Sequence, residues 1–257
     1  GLRGVIMITR MNPSRGSVFY LAAILTFSCF IFNVRSEEPV DIVCQVSEEN
    51  GDWQSKALAE IQRMEYNVSW QDDCRIPDGK PGYHMANRKQ DLRLYFYPEG
   101  VRIIRRTELN PTWTLGLGVM SVGRETPVSA PLDSVKTNEN RIFYNNDGIT
   151  GVYENSPAAI SFSLPVQKKP SGKSSLIFSV ELDGELSPVI IDDSCVEFRE
   201  DGIARVQMAK IRVQDKLGKN IISSTEIVDS CLMITVNDLN AAYPLKLEYQ
   251  LVVPPKW

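Results

Sequence analysis

Alternating apolar and polar positions dominate the chain from residue 91 onward. Leu92, Leu94 and Phe96 alternate with Arg93 and Tyr95, and this period of two is typical of a strand with one buried face. Turn residues separate further runs of the same kind. They predict strands at 101–105, 113–122, 141–144, 151–154, 159–165, 175–182, 189–191, 195–199, 204–213, 232–236 and 245–252.

One segment, residues 53–66, has apolar residues at the spacing of an α-helix. Trp53, Ala57, Ile61 and Met64 recur at spacings of three and four residues, which places them on one face of a helix. The segment therefore predicts an amphipathic helix whose apolar face packs on a larger body.

Two glycine-containing turns define hairpins. Asp201 and Gly202 separate two strand patterns and suit a type I′ turn, in which both central residues have positive φ. Gly218, in the 216–219 turn, plays a similar role. Many short antiparallel strands without alternating long helices favour a β-sandwich over an α/β scaffold, with a β-barrel as the alternative. The predicted fold class is all-β: an antiparallel β-sandwich-like domain with one N-terminal amphipathic helix, preceded by a signal peptide.

Residues 1–36 are expected to comprise upstream residues followed by a signal peptide. From Met11, Arg15 precedes an apolar run at 18–32, which is shorter than the ~20 residues of a membrane span. Small residues before Glu37 suit cleavage at that point, and an uncleaved anchor is the alternative. We expect a secreted or cell-surface protein that meets a membrane only through this segment.

The mature chain is organised in three further parts. Residues 37–90 are expected to form a helical preface, 91–252 the β-sandwich domain and 253–257 the start of a linker. The net charge of −4 argues against a nucleic-acid or anionic-membrane surface. Arg102, Arg105 and Arg106 lie on or beside a strand and are expected to face solvent.

An even number of cysteines remains after the signal segment: Cys44, Cys74, Cys195 and Cys231. In an exported chain this count favours disulfides over a metal site, and sequence separation suggests Cys44–Cys74 and Cys195–Cys231. Three connectivities, and four free thiols, stay open. The chain has one histidine and no Cys-x-x-Cys motif, so no zinc site of familiar spacing is expected.

Two segments invite a calcium interpretation. Asp192, Asp193 and Glu197, near Glu200 and Asp201, form the densest acidic patch and are calcium candidates, although a solvated sheet edge is favoured. Residues 143–154 match part of a calcium-loop pattern but have Phe143 at the first ligand position, so a hairpin turn explains them better. No cofactor is predicted.

No catalytic motif stands out. His84 is the single histidine, and the chain contains neither a Gly-x-Ser-x-Gly elbow nor a Gly-rich phosphate loop. The chain is therefore expected not to be an enzyme. Convergent carboxylates for glycoside hydrolysis are the alternative, since any two Asp or Glu could meet at ~5–10 Å.

Aromatic residues could also build a glycan-binding surface. Trp53, Trp70, Trp113 and Tyr153 are the candidates, but their periodicity suits the core, and Trp70 in particular is expected to anchor it. Asn155 is expected to close a local turn through its own backbone.

Several segments carry a resemblance to a known group of proteins. AEIQRMEYNVSW (59–70), ANRKQDLRLYFYPEGV (86–101) and WTLGL (113–117), with later segments at 140–144, 152–157, 179–188, 213–219 and 243–247, resemble the N-terminal region of large secreted bacterial surface proteins. Such proteins commonly continue into FG-GAP, integrin-alpha-like β-propeller repeats or related β-repeats. This chain differs in having no repeat array and in carrying four cysteines after the signal segment.

The resemblance implies a non-catalytic structural or adhesion module that leads or caps downstream β-repeats. Its expected partners are those repeats in the same polypeptide and a surface protein or glycan, with no nucleic acid. A carbohydrate-binding or carbohydrate-active domain is the alternative.

Overall fold

A computed structural model describes residues 49–76, 79–125, 134–146 and 149–255. The chain divides into two compact units, Gly1–Val46 and Ser47–Trp257, and the described residues all belong to the second. The signal-peptide segment and Cys44 therefore lie outside the described residues.

The described chain begins with a helix, α1 (Glu49–Met64), and continues as antiparallel strands in two sheets of nine strands each. Sheet I follows the order β1 (Ser69–Gln71), β2 (Gly82–Asn87), β3 (Leu92–Tyr97), β4 (Gly100–Arg105), β5 (Leu115–Gly118), β11 (Leu176–Gly184), β17 (Cys231–Val236) and β16 (Ser223–Val228), with β6 (Ser121–Gly123) beside β11. Sheet II follows the order β12 (Ser187–Asp192), β13 (Cys195–Glu200), β14 (Ile203–Gln214), β18 (Leu245–Val252), β10 (Ile160–Val166), β9 (Ile149–Asn155), β8 (Arg141–Asn146) and β7 (Ser134–Asn138), with β15 (Asn220–Ile221) beside β14.

The all-β, sandwich-like fold class is confirmed. Strand pairing begins at Ser69, however, so β1 and β2 lie in the interval predicted to be a helical preface. β2 was missed because its buried positions do not alternate: four of its six residues are buried, Gly82 and His84 on one face and Met85 and Asn87 on the other.

The core lies between the inner faces of the two sheets. Along β10, alternate residues are buried, as a strand with one face in the core requires. Aromatic rings cross the core: the centroid of Tyr153 lies 5.4 Å from that of Phe96 and 4.7 Å from that of Phe162, which stacks on Tyr249 at 4.8 Å. The hydroxyls of Tyr153 and Tyr249 share a 2.9 Å hydrogen bond, so both rings are buried without leaving a polar atom unpaired.

A second, smaller apolar cluster covers the outer face of sheet I. Tyr95, Tyr97 and Ile104 are buried there against Cys74 and Ile76, which come from the segment between β1 and β2. The expectation that Tyr95 occupies the polar face of its strand is therefore wrong. The alternation of β3 is real, but the covering segment buries both of its faces.

The helix is confirmed, but its predicted packing is not. Trp53, Ile61 and Met64 are 59%, 54% and 50% exposed in the structure. The helix instead contacts the β domain through its charged side. Arg63 forms ion pairs with Glu60 of the same helix and with Glu139, between β7 and β8.

Both predicted hairpin turns are confirmed. Asp201 and Gly202 have φ values of 50° and 79° between β13 and β14, as a type I′ turn requires. Gly218, with φ 76°, turns the chain from β14 into β15. Tyr243-Pro244 is a cis peptide immediately before β18.

A buried amide network joins the two sheets. Asn155, at the end of β9, accepts a 2.9 Å hydrogen bond from Nδ2 of Asn87, at the end of β2. Its own Nδ2 donates to the carbonyl oxygens of Tyr66 and Ala86. Both asparagine side chains are fully buried. Asn155 therefore does not close a local turn as expected; it links β9, β2 and the exit of α1.

A buried ion pair closes the opposite end of the sandwich. Arg124 Nη2 lies 2.6 Å from Asp238 Oδ2, and both side chains are about 95% buried. Tyr243 donates a 2.6 Å hydrogen bond to the same carboxylate. Burial alone would raise the pKa of Asp238, but these hydrogen bonds outweigh it and hold the pKa below its usual value.

We predict that Asn155→Ala lowers the free energy of unfolding by roughly 1–3 kcal/mol, because it leaves buried amide and carbonyl groups without partners. Urea denaturation measures the change. The matched control is Asn240→Ala, at an exposed loop position, which should stay within about 0.5 kcal/mol of the parent. Equal effects from the two substitutions would contradict a linking role for Asn155.

Candidate functional site

A cleft of about 650 Å³ opens at the end of the sandwich where β3 begins and β18 ends. Its volume falls in the range typical of small-molecule sites. One wall comes from sheet I and its loops, and the other from the β13–β14 hairpin and the chain after β18. The lining includes Asp91, Leu92, Arg105, Glu108, Thr112, Trp113, Glu197, Glu200, Ile203, Ala204, Arg205 and the 253–255 segment.

The first wall is held together by Arg105. Its Nε donates to Asp91 Oδ2 at 2.8 Å, and its Nη1 donates to Glu108 Oε1 at 3.2 Å. These hydrogen bonds raise the pKa of the Arg105 guanidinium. Thr107 adds a 3.0 Å hydrogen bond to the same Asp91 oxygen. The Arg105 side chain is 42% exposed, so it reaches solvent as expected, and it also lies between two carboxylates.

The second wall carries its own ion pairs. Arg205 lies 2.8 Å from Glu200, its neighbour across the hairpin, and a bulge in the pairing of β13 with β14 lies beside them. Glu197 is bound by Arg199 at 2.6 Å. Each cleft carboxylate is thus already paired with an arginine.

Two polar atoms near the first wall are buried without a hydrogen-bond partner among the described residues. They are Asp91 Oδ1 and Arg106 Nε, which lie 3.8 Å apart. This distance is an ion-pair contact but too long for a hydrogen bond. The Asp91 turn, where φ is 50°, fixes the carboxylate between Arg105 and Arg106.

The cleft can bind a polar ligand more readily than it can perform acid–base chemistry. Four carboxylates and two arginines among its lining residues leave an excess of acceptors for hydroxyl or ammonium groups. Trp113 is 4% exposed and supplies apolar lining without a free stacking face. Sequence reasoning missed Asp91 and Glu108 because neither belongs to a motif and the two lie on different loops.

The carboxylates of the three calcium candidates each bind a different partner within the protein. Asp192 Oδ1 accepts hydrogen bonds from the backbone and hydroxyl of Ser194, which lower the pKa of that carboxyl. Asp193 Oδ1 accepts the backbone N–H of Thr225, and Glu197 is paired with Arg199. Across the described ranges, no group of three or more His, Cys, Asp or Glu could hold a metal ion.

The Cys195–Cys231 disulfide is not formed, which corrects the suggested pairing. Both residues are free thiols, as is Cys74, whereas Cys44 lies outside the described residues. Cys195 begins β13 of sheet II and Cys231 begins β17 of sheet I. The residue after each is buried in the core, so the alternation of the strands directs the two thiols to the outer faces of different sheets. Burial raises the pKa of both thiols, which disfavours the reactive thiolate.

The aromatic candidates are divided between surface and core. Tyr153 is buried, as its periodicity suggested, and Trp113 is buried at the edge of the cleft. Trp70 is 52% exposed, so it is not the expected core anchor; it packs edge-on against Tyr83 and donates to Asp72. Trp53 lies apart from it on α1.

His84 is buried and hydrogen-bonded within the sheet. It is buried beside β1, with Nδ1 3.0 Å from the Ser69 hydroxyl and 3.3 Å from the Ser69 carbonyl oxygen. Its ring stacks on Tyr95. Burial lowers the pKa of His84, and the nearby Arg93 and Arg75 lower it further.

We predict that His84 titrates below the ordinary value of ~6.5. A buried neutral imidazole cannot take up the proton that the unfolded chain accepts, so its contribution to stability is present above pH ~6.5 and declines as the pH falls. Because the chain has one histidine, its ring-proton NMR signal gives the titration directly. His84→Gln should flatten the fall in stability between pH 7 and 5, and an ordinary titration midpoint would contradict the prediction.

Comparison with protein-family models, with curated proteins and with solved structures finds no match to this chain. No helix among the described residues is both long and apolar enough to cross a membrane.

Proposed function

We propose that this chain is a non-catalytic structural or adhesion module of an exported surface protein, one that leads or caps downstream β-repeats. The observation that carries the non-catalytic part is the pairing of every carboxylate in the cleft with an arginine. An arginine that occupies the oxygens of a carboxylate competes for them with a substrate.

The architecture supports a load-bearing module. Two nine-stranded sheets enclose one continuous core, and buried polar links close both ends, Asn87–Asn155 at one and Arg124–Asp238 at the other. At the cleft, Gln90 accepts a 3.0 Å hydrogen bond from the backbone N–H of Val253. This bond fixes the direction in which the chain leaves β18, as a module joined to further domains would require.

The export part of the proposal rests on the apolar run at 18–32 and the small residues before Glu37. Expression of residues 11–257 in a bacterium should yield, outside the cytoplasm, a product whose N-terminus is Glu37 by mass spectrometry. Ile24→Arg with Leu25→Arg interrupts the apolar run and should retain the protein in the cytoplasm. The control pair Val40→Arg and Val43→Arg, beyond the cleavage site, should leave export unchanged. Export that survives the first pair would refute a signal-peptide role.

A carbohydrate-binding or carbohydrate-active domain is the second candidate, favoured by the four carboxylates that line the cleft beside Trp113. We expect no polysaccharide hydrolysis above background by the parent chain, and no change in Glu108→Gln or Glu200→Gln variants. Reducing-sugar release from a panel of polysaccharides is the measurement. Turnover by the parent that falls at least 100-fold in either variant, with Glu226→Gln outside the cleft unaffected, would replace the proposal with the hydrolase.

A further inference from the structure

The end of the sandwich opposite the cleft displays three highly exposed aliphatic side chains. Leu217, Ile222 and Leu239 are 78%, 83% and 76% exposed. β14 runs from the cleft to this end, where its last residue, Gln214, pairs with Lys246 near the start of β18. We call the loops 167–175, 215–222 and 237–244 the lysine end, for the residues described below.

The three side chains come from segments that are bonded to one another. The backbone N–H of Lys216 donates to Ala242 at 3.0 Å, and that of Asn237 donates to Ile222 at 3.1 Å. The Asp215 carboxylate accepts the backbone N–H groups of Leu217 and Lys219, which fixes the tip of its turn. The exposed side chains are therefore presented by ordered, adjacent loops.

The charge of these loops is opposite to that of the chain. They contain two aspartates, Asp215 and Asp238, both buried and engaged in hydrogen bonds. Against a chain net charge of −4, the loops carry a formal charge of +3. The excess comes from five exposed lysines: Lys168, Lys169, Lys173, Lys216 and Lys219.

We propose that the lysine end binds the surface of an anionic lipid bilayer. Leu217, Ile222 and Leu239 would insert at the boundary of headgroups and acyl chains, while the four lysines other than Lys169 meet anionic headgroups. Exposed aliphatic side chains ringed by one sign of charge mark an interaction surface. Because these side chains protrude instead of lining a groove, a deformable bilayer suits them better than a rigid protein face.

The buried ion pair is compatible with this contact. Asp238 is the carboxylate closest to Leu239 in sequence, and Arg124, Tyr243 and Lys169 already bind it within the protein. The lysine end therefore presents cations without an exposed aspartate among its three loops. Lipid binding of this kind does not depend on the export proposed above.

The test is cosedimentation of the whole chain with vesicles of phosphatidylcholine and phosphatidylserine at a 4:1 ratio. Lys216→Glu with Lys219→Glu should weaken binding at least tenfold, since each lysine near an anionic surface contributes about fivefold to affinity. The control pair Arg88→Glu and Lys89→Glu, in the exposed turn between β2 and β3 at the cleft end, makes the same change in net charge and should alter binding less than threefold. Comparing the two pairs separates the lysine end from any contribution of residues 18–32.

Insertion is tested by a tryptophan probe. Leu217→Trp should shift its emission to the blue on addition of the anionic vesicles and be quenched by brominated lipid, whereas Leu109→Trp, in a loop at the cleft end, should show neither change. Equal weakening by the two charge-reversal pairs, or a Leu217→Trp signal that does not respond to vesicles, would overturn the proposal. Binding to polyglutamate but not to vesicles would also overturn it and would assign the surface to an acidic protein.

Discussion

The buried contact between Asn87 and Asn155 is the constraint on which the rest of the structure depends. Apolar faces hold two sheets together but leave their relative placement free over small shifts, whereas paired amides must meet at fixed distances. From Asn87 the hydrogen bonds continue to the backbone of Gln90, whose side chain holds Val253. Asp91 follows directly, so the position of the cleft is set by the same network that aligns the sheets.

The two ends of the sandwich have different chemistry. At the cleft, carboxylates and arginines neutralise one another in ion pairs, so the surface is polar but weakly charged. At the other end, Asp215 and Asp238 are withdrawn into the protein and the lysines remain in solvent. The net charge of −4 sums over both ends of the sandwich, so it does not show that positive charge is concentrated at one of them. For that reason the composition alone argued against an anionic-membrane surface.

Much of the fold could be predicted from the sequence because most strands have one face in the core. The predicted strand at 245–252 coincides with β18, and the predicted 159–165 strand differs from β10 by one residue at each end. The predictions that were wrong concern a strand that is buried on both faces, as at Tyr95, and an aromatic side chain that packs on the outer surface, as at Trp70. A pattern of period two reports one buried face and carries no information about a covering loop.

The candidate site was less predictable than the fold for a related reason. Asp91 and Arg105 are fourteen positions apart, and Glu200 and Arg205 lie on the opposite wall, so only the paired sheets bring these residues together. Likewise Asn155 was assigned to a local turn because its partners are 68 and 89 positions away.

The place of β18 in sheet II has a consequence for how the chain acquires its structure. This strand is the last of the described strands in sequence, yet it lies near the centre of its sheet, between β14 and β10. Until it has been synthesised, both of those neighbours present unpaired edges, and the contacts that close the core span long stretches of chain. Proteins with such a topology fold slowly, and their unpaired strand edges are prone to aggregation until folding is complete. On the ribosome, sheet II would therefore stay open until β18 has emerged, which leaves the domain available to chaperones or to a translocation channel that accepts unfolded protein.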